Sequence, residues 1–339
     1  MKIALDAMGG DNAPLSNIQG AFEAINAMDV EVILLGDENI IKKHLEKENI
    51  DTPKITIKHC EEMISNDEKP VKAVRTKKNS SLVVGLNLLK NKEVDAFVSA
   101  GSTGAILAGG LFVLGRIKGI DRPALTGVYP NESGGSVLLD IGANADCKPK
   151  NLDQFALMGS IYASSILNIS NPKVGLINIG AEEEKGSDLY KSSFELMKNN
   201  AEYNFVGNIE ARDIPKGTVD VMVCDGFTGN IILKLTEGVA STIFGLIKKT
   251  IMSSLKSKIG GIMLKNSFGE LKKSLDSDEY GGAPLLGVNG IVIKAHGSSE
   301  GKAIKNAIKQ AKTFYDSKSI EKIISYAEKN NKVSEEKSI

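Results

Sequence analysis

Residues 95–114 run DAFVSAGSTGAILAGGLFVL, and their reading decides the fold. The apolar run Asp95–Val98 predicts a strand, Ser99–Ala105 a glycine turn, and Ile106–Leu114 a helix. A strand-to-helix turn of this kind sets backbone N–H groups and the hydroxyls of Ser102 and Thr103 at a helix N-terminus, where an anion or a developing oxyanion can sit. The same residues also serve as a plain tight turn capped by Ser102 or Thr103. Other loops converging on the same place would favour the anion site.

Strand and helix alternate on both sides of this stretch. Toward the N-terminus, Lys2–Ala7 reads as a buried strand. Met8–Pro14 turns into a helix running to Met28, with Asp11 or Asn12 as cap and Pro14 in its first turn. Strands follow at Glu31–Leu35 and Ile55–Lys58, with a charged helix to Glu48 between them. Glu68–Ser81 is a polar link holding Lys69, Arg75, Lys77 and Lys78, and Ser80 and Ser81 can cap the helix Leu82–Lys90.

Toward the C-terminus, Leu125–Tyr129 and Ser136–Ile141 predict two strands joined as an antiparallel excursion. A helix at Leu152–Leu167, a strand at Lys173–Ile179 and a helix from Ser187 or Asp188 to Lys198 come next. Phe205–Val206 and Val219–Cys224 are strands, helical periodicity dominates to Leu275, and Leu285–Lys294 is strand broken by Gly287 and Gly290. A last helix runs from 301 to Tyr315, and the chain ends in a polar tail over 331–339. This alternation predicts an α/β fold with a mostly parallel, doubly wound sheet, in one large domain over residues 1–330. Ligands of such sheets bind beyond the carboxyl ends of the strands. Loops rich in Gly, Ser, Thr and Asn at 99–105, 142–144, 178–186, 225–230 and 297–301 are expected there together, around one cleft for an anionic ligand.

The totals exclude several classes. Among 339 residues, 42 are Lys or Arg and 42 are Asp or Glu, so overall charge makes no case for nucleic-acid binding. Cys60, Cys147 and Cys224 lie far apart, which fits neither a disulfide framework nor a metal cluster and points to a reducing, cytoplasmic compartment. Met1–Gly10 lacks the apolar core of a signal peptide, and no stretch is read as approaching the ~20 apolar residues of a membrane span.

No Ser-His-Asp or Cys-His set can be assembled. His44 falls in a charged helix and His59 at a strand end. His296 adjoins a cleft loop, where it positions a phosphate, acts as acid or base, or makes a structural hydrogen bond. Cys147 and Cys224 adjoin loops 142–144 and 225–230, as thiolate nucleophiles or as small core fillers. Lys185, beside Gly186 and a helix start, suits an anion site. No carboxylate or histidine spacing supports a metal, and no cofactor is implied.

Met8–Pro14, Lys69–Ser81, Ser99–Ala105, Asp140–Pro149, Asn178–Gly186, Asp225–Asn230, Gly281–Gly290 and His296–Gly297 resemble, in order, the motifs of the bacterial phosphate acyltransferases of phospholipid synthesis. The resemblance extends from residue 1 to about 329. It implies a three-layer α/β/α sandwich like that of the isocitrate/isopropylmalate dehydrogenase and phosphotransacetylase group, working as a homodimer. It also implies the reaction of an acyl-[acyl carrier protein] with inorganic phosphate to give acyl phosphate and free carrier protein. For that chemistry the expected phosphate ligands are Gly101, Ser102, Thr103 and Gly104 with Lys185. Asn144, Asn178 and Asn230 are expected oxyanion donors, and His296 a positioning or acid group. Rival readings are a phosphotransacetylase-like exchange with coenzyme A and a non-catalytic acyl-carrier or membrane scaffold.

Apolar residues from Val239 to Leu275 keep helical spacing and predict a protruding hairpin of two helices joined at Ile259–Leu264. Residues 248–273 hold seven lysines and one glutamate, an asymmetry that the neutral total hides. Such a hairpin packs on a dimer mate, or rests Ile259, Ile262 and Leu264 on an anionic membrane, close to a membrane acyltransferase that consumes acyl phosphate. The second option adds a peripheral position on the inner face of the cell membrane. The same lysines, or Arg75, Lys77 and Lys78, could instead dock the acidic carrier protein.

Overall fold

The structure, a computed structural model, describes residues 1–274 and 281–336. The first part of the chain gives β1 (Lys2–Asp6), α1 (Leu15–Ala27), β2 (Glu31–Gly36), α2 (Glu38–Lys47), β3 (Ile55–His59), α3 (Pro70–Thr76), α4 (Ser81–Lys90), β4 (Ala96–Ser99) and α5 (Thr103–Gly109), which runs on into a π-helical turn, Gly110–Leu114. The second gives β5 (Ala124–Tyr129), β6 (Ser136–Leu139), α6 (Pro149–Ile166), β7 (Lys173–Asn178), α7 (Asp188–Lys198), β8 (Asn204–Glu210), β9 (Val221–Val223), α8 (Gly226–Ile251), α9 (Leu255–Met263) and α10 (Lys265–Ser274). The chain then returns through β10 (Ala283–Leu286), β11 (Ile291–Lys294), α11 (Gly301–Ser317) and α12 (Ser319–Glu336).

The strands form one sheet in the order β3-β2-β1-β4-β11-β10-β5-β6-β9-β7-β8, mostly parallel and covered on both faces. Central strands such as β1 and β4 are continuous apolar runs because both of their faces are buried. Ile3, Leu5, Val137 and Val221 face a layer built by α1, α6 and α11. The alternate positions face the other layer: Ala4 and Phe97 meet α4 and α5, while Leu125, Leu138 and Met222 meet the start of α8. This is the α/β/α sandwich the motifs imply.

The expected antiparallel excursion exists, with β5 against β6 from Thr126↔Leu139 to Tyr129↔Ser136. β10 is also antiparallel, to β11 on one side and to β5 on the other. Each hairpin reverses the strand direction, whereas helical crossovers keep it. Strands β1 to β5 and β11 therefore run one way, and β6 to β10 the other. Loops 99–105 and 297–301 leave the carboxyl ends of β4 and β11 at one rim of the sheet. Loops 142–144, 178–186 and 225–230 leave β6, β7 and β9 at the opposite rim. The five loops expected together thus do not leave a single rim.

The helical projection differs in detail from expectation. The first break falls at residues 252–254, where Ser254 caps α9 by accepting the Ser257 N–H at 3.1 Å. Ile259 to Met263 lie inside α9, with Leu264 at its C-cap, and the Gly260-Gly261 pair stays helical. Leu275 lies outside the described residues. α8 is 26 residues with a mean hydropathy of 1.4 over its most apolar window, long and apolar enough to cross a membrane by length and composition. The sequence reading missed this because scattered polar residues interrupt the run. Residues 331–336 of the expected tail continue α12, and 337–339 lie outside the described residues.

Candidate active site

A cavity of about 510 Å³ lies beneath the first turns of α8, crossing the sheet from β11 to β6. Its size suits a small-molecule substrate. Gly101, Thr103, Lys294 and His296 form one end, from the β4–β11 rim. Asn230, Leu233, Lys234 and Glu237 form the roof, one face of α8 at helical spacing. Leu125, Val128, Ile141 and Ala283 give an apolar wall, with Gly142 at the far rim. The cavity therefore joins the two rims that the strand reversal separates.

The first rim is organised by Asp6, buried at the end of β1. It accepts the Ser99 hydroxyl at 2.8 Å, and Ser99 Oγ in turn accepts the Gly101 N–H at 3.0 Å. Burial pushes the Asp6 carboxyl above its ordinary value, opposed by hydrogen bonds from Ser81 and Ser99. Ser102 stands at the N-cap of α5 but its side chain makes no capping bond, so the plain capped turn is not what forms. Residues 8–14 brace this rim. Asp11 N–H donates to the Gly297 carbonyl at 2.7 Å and Asn12 Nδ2 to the Ser298 carbonyl at 3.0 Å. Gly9 packs so closely that an added Cβ would lie 2.8 Å from the Gly101 nitrogen. His296 Nδ1 accepts the Ser298 N–H at 3.3 Å and lies 2.8 Å from Ser298 Oγ.

Lys294 ends β11 in register with Ser99 of β4, on the face that α8 covers. It is 8% exposed. Its ammonium donates to the Ala295 carbonyl. Burial pulls its proton affinity down to about 8, helped by Lys234 and resisted by Asp11. Sequence reasoning missed Lys294. The available signal was a lysine closing the apolar strand IVIK directly before the glycine-serine loop.

The second rim is organised by Asp140. Its carboxylate accepts N–H groups of Leu125, Gly142, Ala143 and Asn144, at 2.7–3.1 Å, and the Asn144 side-chain amide at 2.8 Å. Asn144 spends its other N–H on the Pro123 carbonyl at 2.7 Å. Its buried amide is thus committed to the fold rather than offered to a substrate. Asn178 Nδ2 holds the Lys185 carbonyl at 3.0 Å, and its Oδ1 accepts the Ile179 N–H. Asn230 is exposed, sits over Gly142, and its side chain has no hydrogen bond among the described residues. The structure therefore brings Gly101, Thr103, Asn230 and His296 to one cavity, and leaves Ser102, Gly104, Asn144, Asn178 and Lys185 off its lining. β7, which carries the Lys185 loop, is five strands from β11, on the order of 24 Å along the sheet. Within one chain, Lys185 and the 99–105 loop do not share one small anion.

A model of the fatty acid synthesis protein family matches residues 1–322. The chain belongs to this family. Relatives in it are phosphate acyltransferases: one from Alkaliphilus oremlandii is 57% identical over 323 residues, covering 95% of this chain and 96% of its own. Another, from Clostridioides difficile, is 54% identical over 332 residues, covering 98% and 97%. The chain is accordingly an acyltransferase of the phosphate acyltransferase family. Among solved structures it resembles a phosphotransacetylase from Streptococcus pyogenes, with a TM-score of 0.64 and 18% identity over 95% of this chain and 94% of that one. The EutD phosphotransacetylase from Staphylococcus aureus gives 0.60 and 18% over 92% and 94%. These two show the fold.

For this family member, the cysteine alternative does not hold. Burial, with Asp140 and Asp225 nearby, pushes the Cys147 thiol up to about 12 and Cys224 well above its ordinary value, the opposite of an activated nucleophile. Of the basic residues at 75–78, Lys77 is paired with Glu68 at 2.8 Å and Lys78 bonds the Val74 carbonyl. Arg75 lies 4.8 Å over the exposed Phe112 ring.

Proposed function

We propose that this acyltransferase makes acyl phosphate from a fatty acyl-[acyl carrier protein] thioester and inorganic phosphate. The observation that carries the reading is a cavity that is glycine-lined and cationic at one end and apolar along its wall. Hydrogenphosphate lies at the Gly101–Thr103 end, and the acyl chain along Leu125, Ile141 and Leu233. A phosphate oxygen attacks the thioester carbonyl carbon, the C–O bond forms, and the C–S bond breaks with its electron pair going to sulfur. The phosphate proton ends on the released thiol, whose ordinary pKa near ~8.5 makes it a good leaving group. The Asn230 amide and His296 Nε2–H are the donors for the carbonyl oxyanion, each such preorganised donor being worth roughly 3–4 kcal/mol. Such chemistry needs positioning and charge more than an enzyme nucleophile.

We assign residues 1–330 to one catalytic domain from which the 239–275 helices project. Arg75 and Lys78 offer charge to an acidic carrier protein. The outward stripe of α8 is the surface for a second copy, and Ile259, Ile262 and Leu264 are the contact with an anionic membrane, near an acyltransferase that consumes the product. The chain then works in the cytoplasm, held at the inner face of the cell membrane.

Hydroxylamine trapping tests the reaction. Acyl hydroxamate is expected when the protein meets acyl-[acyl carrier protein] and phosphate together, and not when either is omitted. A stronger signal from acyl-coenzyme A would make it a phosphotransacetylase-like enzyme, and none from either donor would leave a scaffold.

A further inference from the structure

The cavity contains a charge that the fold does not balance. Lys294 is buried, its one hydrogen bond goes to the carbonyl of the next residue, and no carboxylate pairs with it among the described residues. A buried ammonium is costly unless an anion meets it. Its charged surroundings make the imbalance worse, since Lys234, itself paired with Glu237 at 2.7 Å, acts on it more strongly than Asp11 does. Lys294 lines the cavity, and the strand end that carries it is tied to the glycine loop: Ala295 N–H donates to the Ser99 carbonyl at 2.9 Å.

We propose that Lys294 is the principal ligand of the attacking phosphate, clamping the inorganic dianion at the carboxyl end of β11 against Gly101 and Thr103. This rests on the phosphate acyltransferase reading for the identity of the anion. The pairing gives the anion an ammonium that no carboxylate holds among the described residues, whereas Lys234 is bridged to Glu237 at 2.7 Å. It also fixes where the nucleophile starts, at the end of the cavity away from Gly142.

The experiment compares the full-length protein with its Lys294→Met and Lys185→Ala variants. Thermal unfolding is followed with inorganic phosphate or with chloride at matched ionic strength, and phosphate KM and kcat come from hydroxamate trapping. Phosphate is expected to raise the Tm of the unaltered protein and of Lys185→Ala. It should not raise that of Lys294→Met, whose Tm without phosphate should equal or exceed the starting value, because a buried unpaired charge has gone. Phosphate KM for Lys294→Met should rise at least about ten-fold, and Lys294→Arg should recover part of it. If Lys294→Met does not fold, Lys294→Gln is read the same way. A Lys294 variant that keeps the phosphate-dependent Tm shift and the original KM overturns the proposal, as does the absence of any shift in the unaltered protein. Phosphate binding through Lys294 without hydroxamate would leave this inference standing and overturn the acyl-transfer reading; hydroxamate with unaltered phosphate dependence in the variant would do the reverse.

Discussion

Two buried aspartates each hold one half of the site in shape. Asp6 does so through one intermediary, Ser99, whose hydroxyl both donates to the carboxylate and accepts the Gly101 N–H. Ser99→Ala removes a donor from a buried carboxyl and an acceptor from a buried N–H, and stability should fall by about 1–3 kcal/mol, read as a lower midpoint in urea unfolding. Lys294 has a different signature. Its proton affinity is lowered from 10.5 to about 8. Between those values the unfolded chain binds a proton that the folded chain releases. The contribution of Lys294 to stability should therefore rise as pH climbs from about 8 to 10.5, by up to about 3 kcal/mol without phosphate. Lys234 and Asp11 are the charged groups acting on it, and Lys294→Met should flatten this part of the stability–pH curve.

α8 does two jobs along its length. Its first three turns roof the cavity, and Tyr129 Oη meets Thr236 Oγ1 at 3.1 Å beneath it. On its outward side, from the third turn on, Leu235, Val239, Ile243 and Leu246 are exposed, Leu235 at 64%. A stripe at this spacing matches a second helix better than water. Leu235→Glu with Ile243→Glu should convert a dimer to a monomer in sedimentation with unchanged helicity, and a dimer surviving the pair would exclude this face. The 3.6-residue period of this segment was legible in the sequence, as were nearly all the strands. The break at 252–254 was not, because Gly260-Gly261 looks like a stronger interruption than a serine cap, and only tertiary geometry reveals which one the helix tolerates.

At the scale of the whole molecule, the legible part was the alternation of strand and helix and the β5–β6 hairpin; the part that stayed hidden was what that hairpin does to everything after it. One reversal moves the loops after β6, β7 and β9 to the far rim, so loops alike in composition are unlike in position. Thr103, His296 and Asn230, which line the cavity, stood out in the sequence because glycine-rich loops advertise themselves. Lys294 went unnoticed because a single lysine ending an apolar strand looks like ordinary punctuation until the neighbouring strand is known. That neighbour has a consequence for how the protein is made. β11 lies in the middle of the sheet, pairing with β4 in the register Ala96↔Ile291, about 195 residues apart. α11 then packs on α1. On the ribosome, β1 to β4 emerge early and wait for their central partner until nearly the whole chain has been synthesised, with an apolar strand side open throughout. Such long-range closure is slow and exposes the nascent chain to aggregation. The enzyme therefore gains the Lys294 end of its cavity last, and a ribosome that stops short of β11 releases a chain with neither a closed sheet nor Lys294.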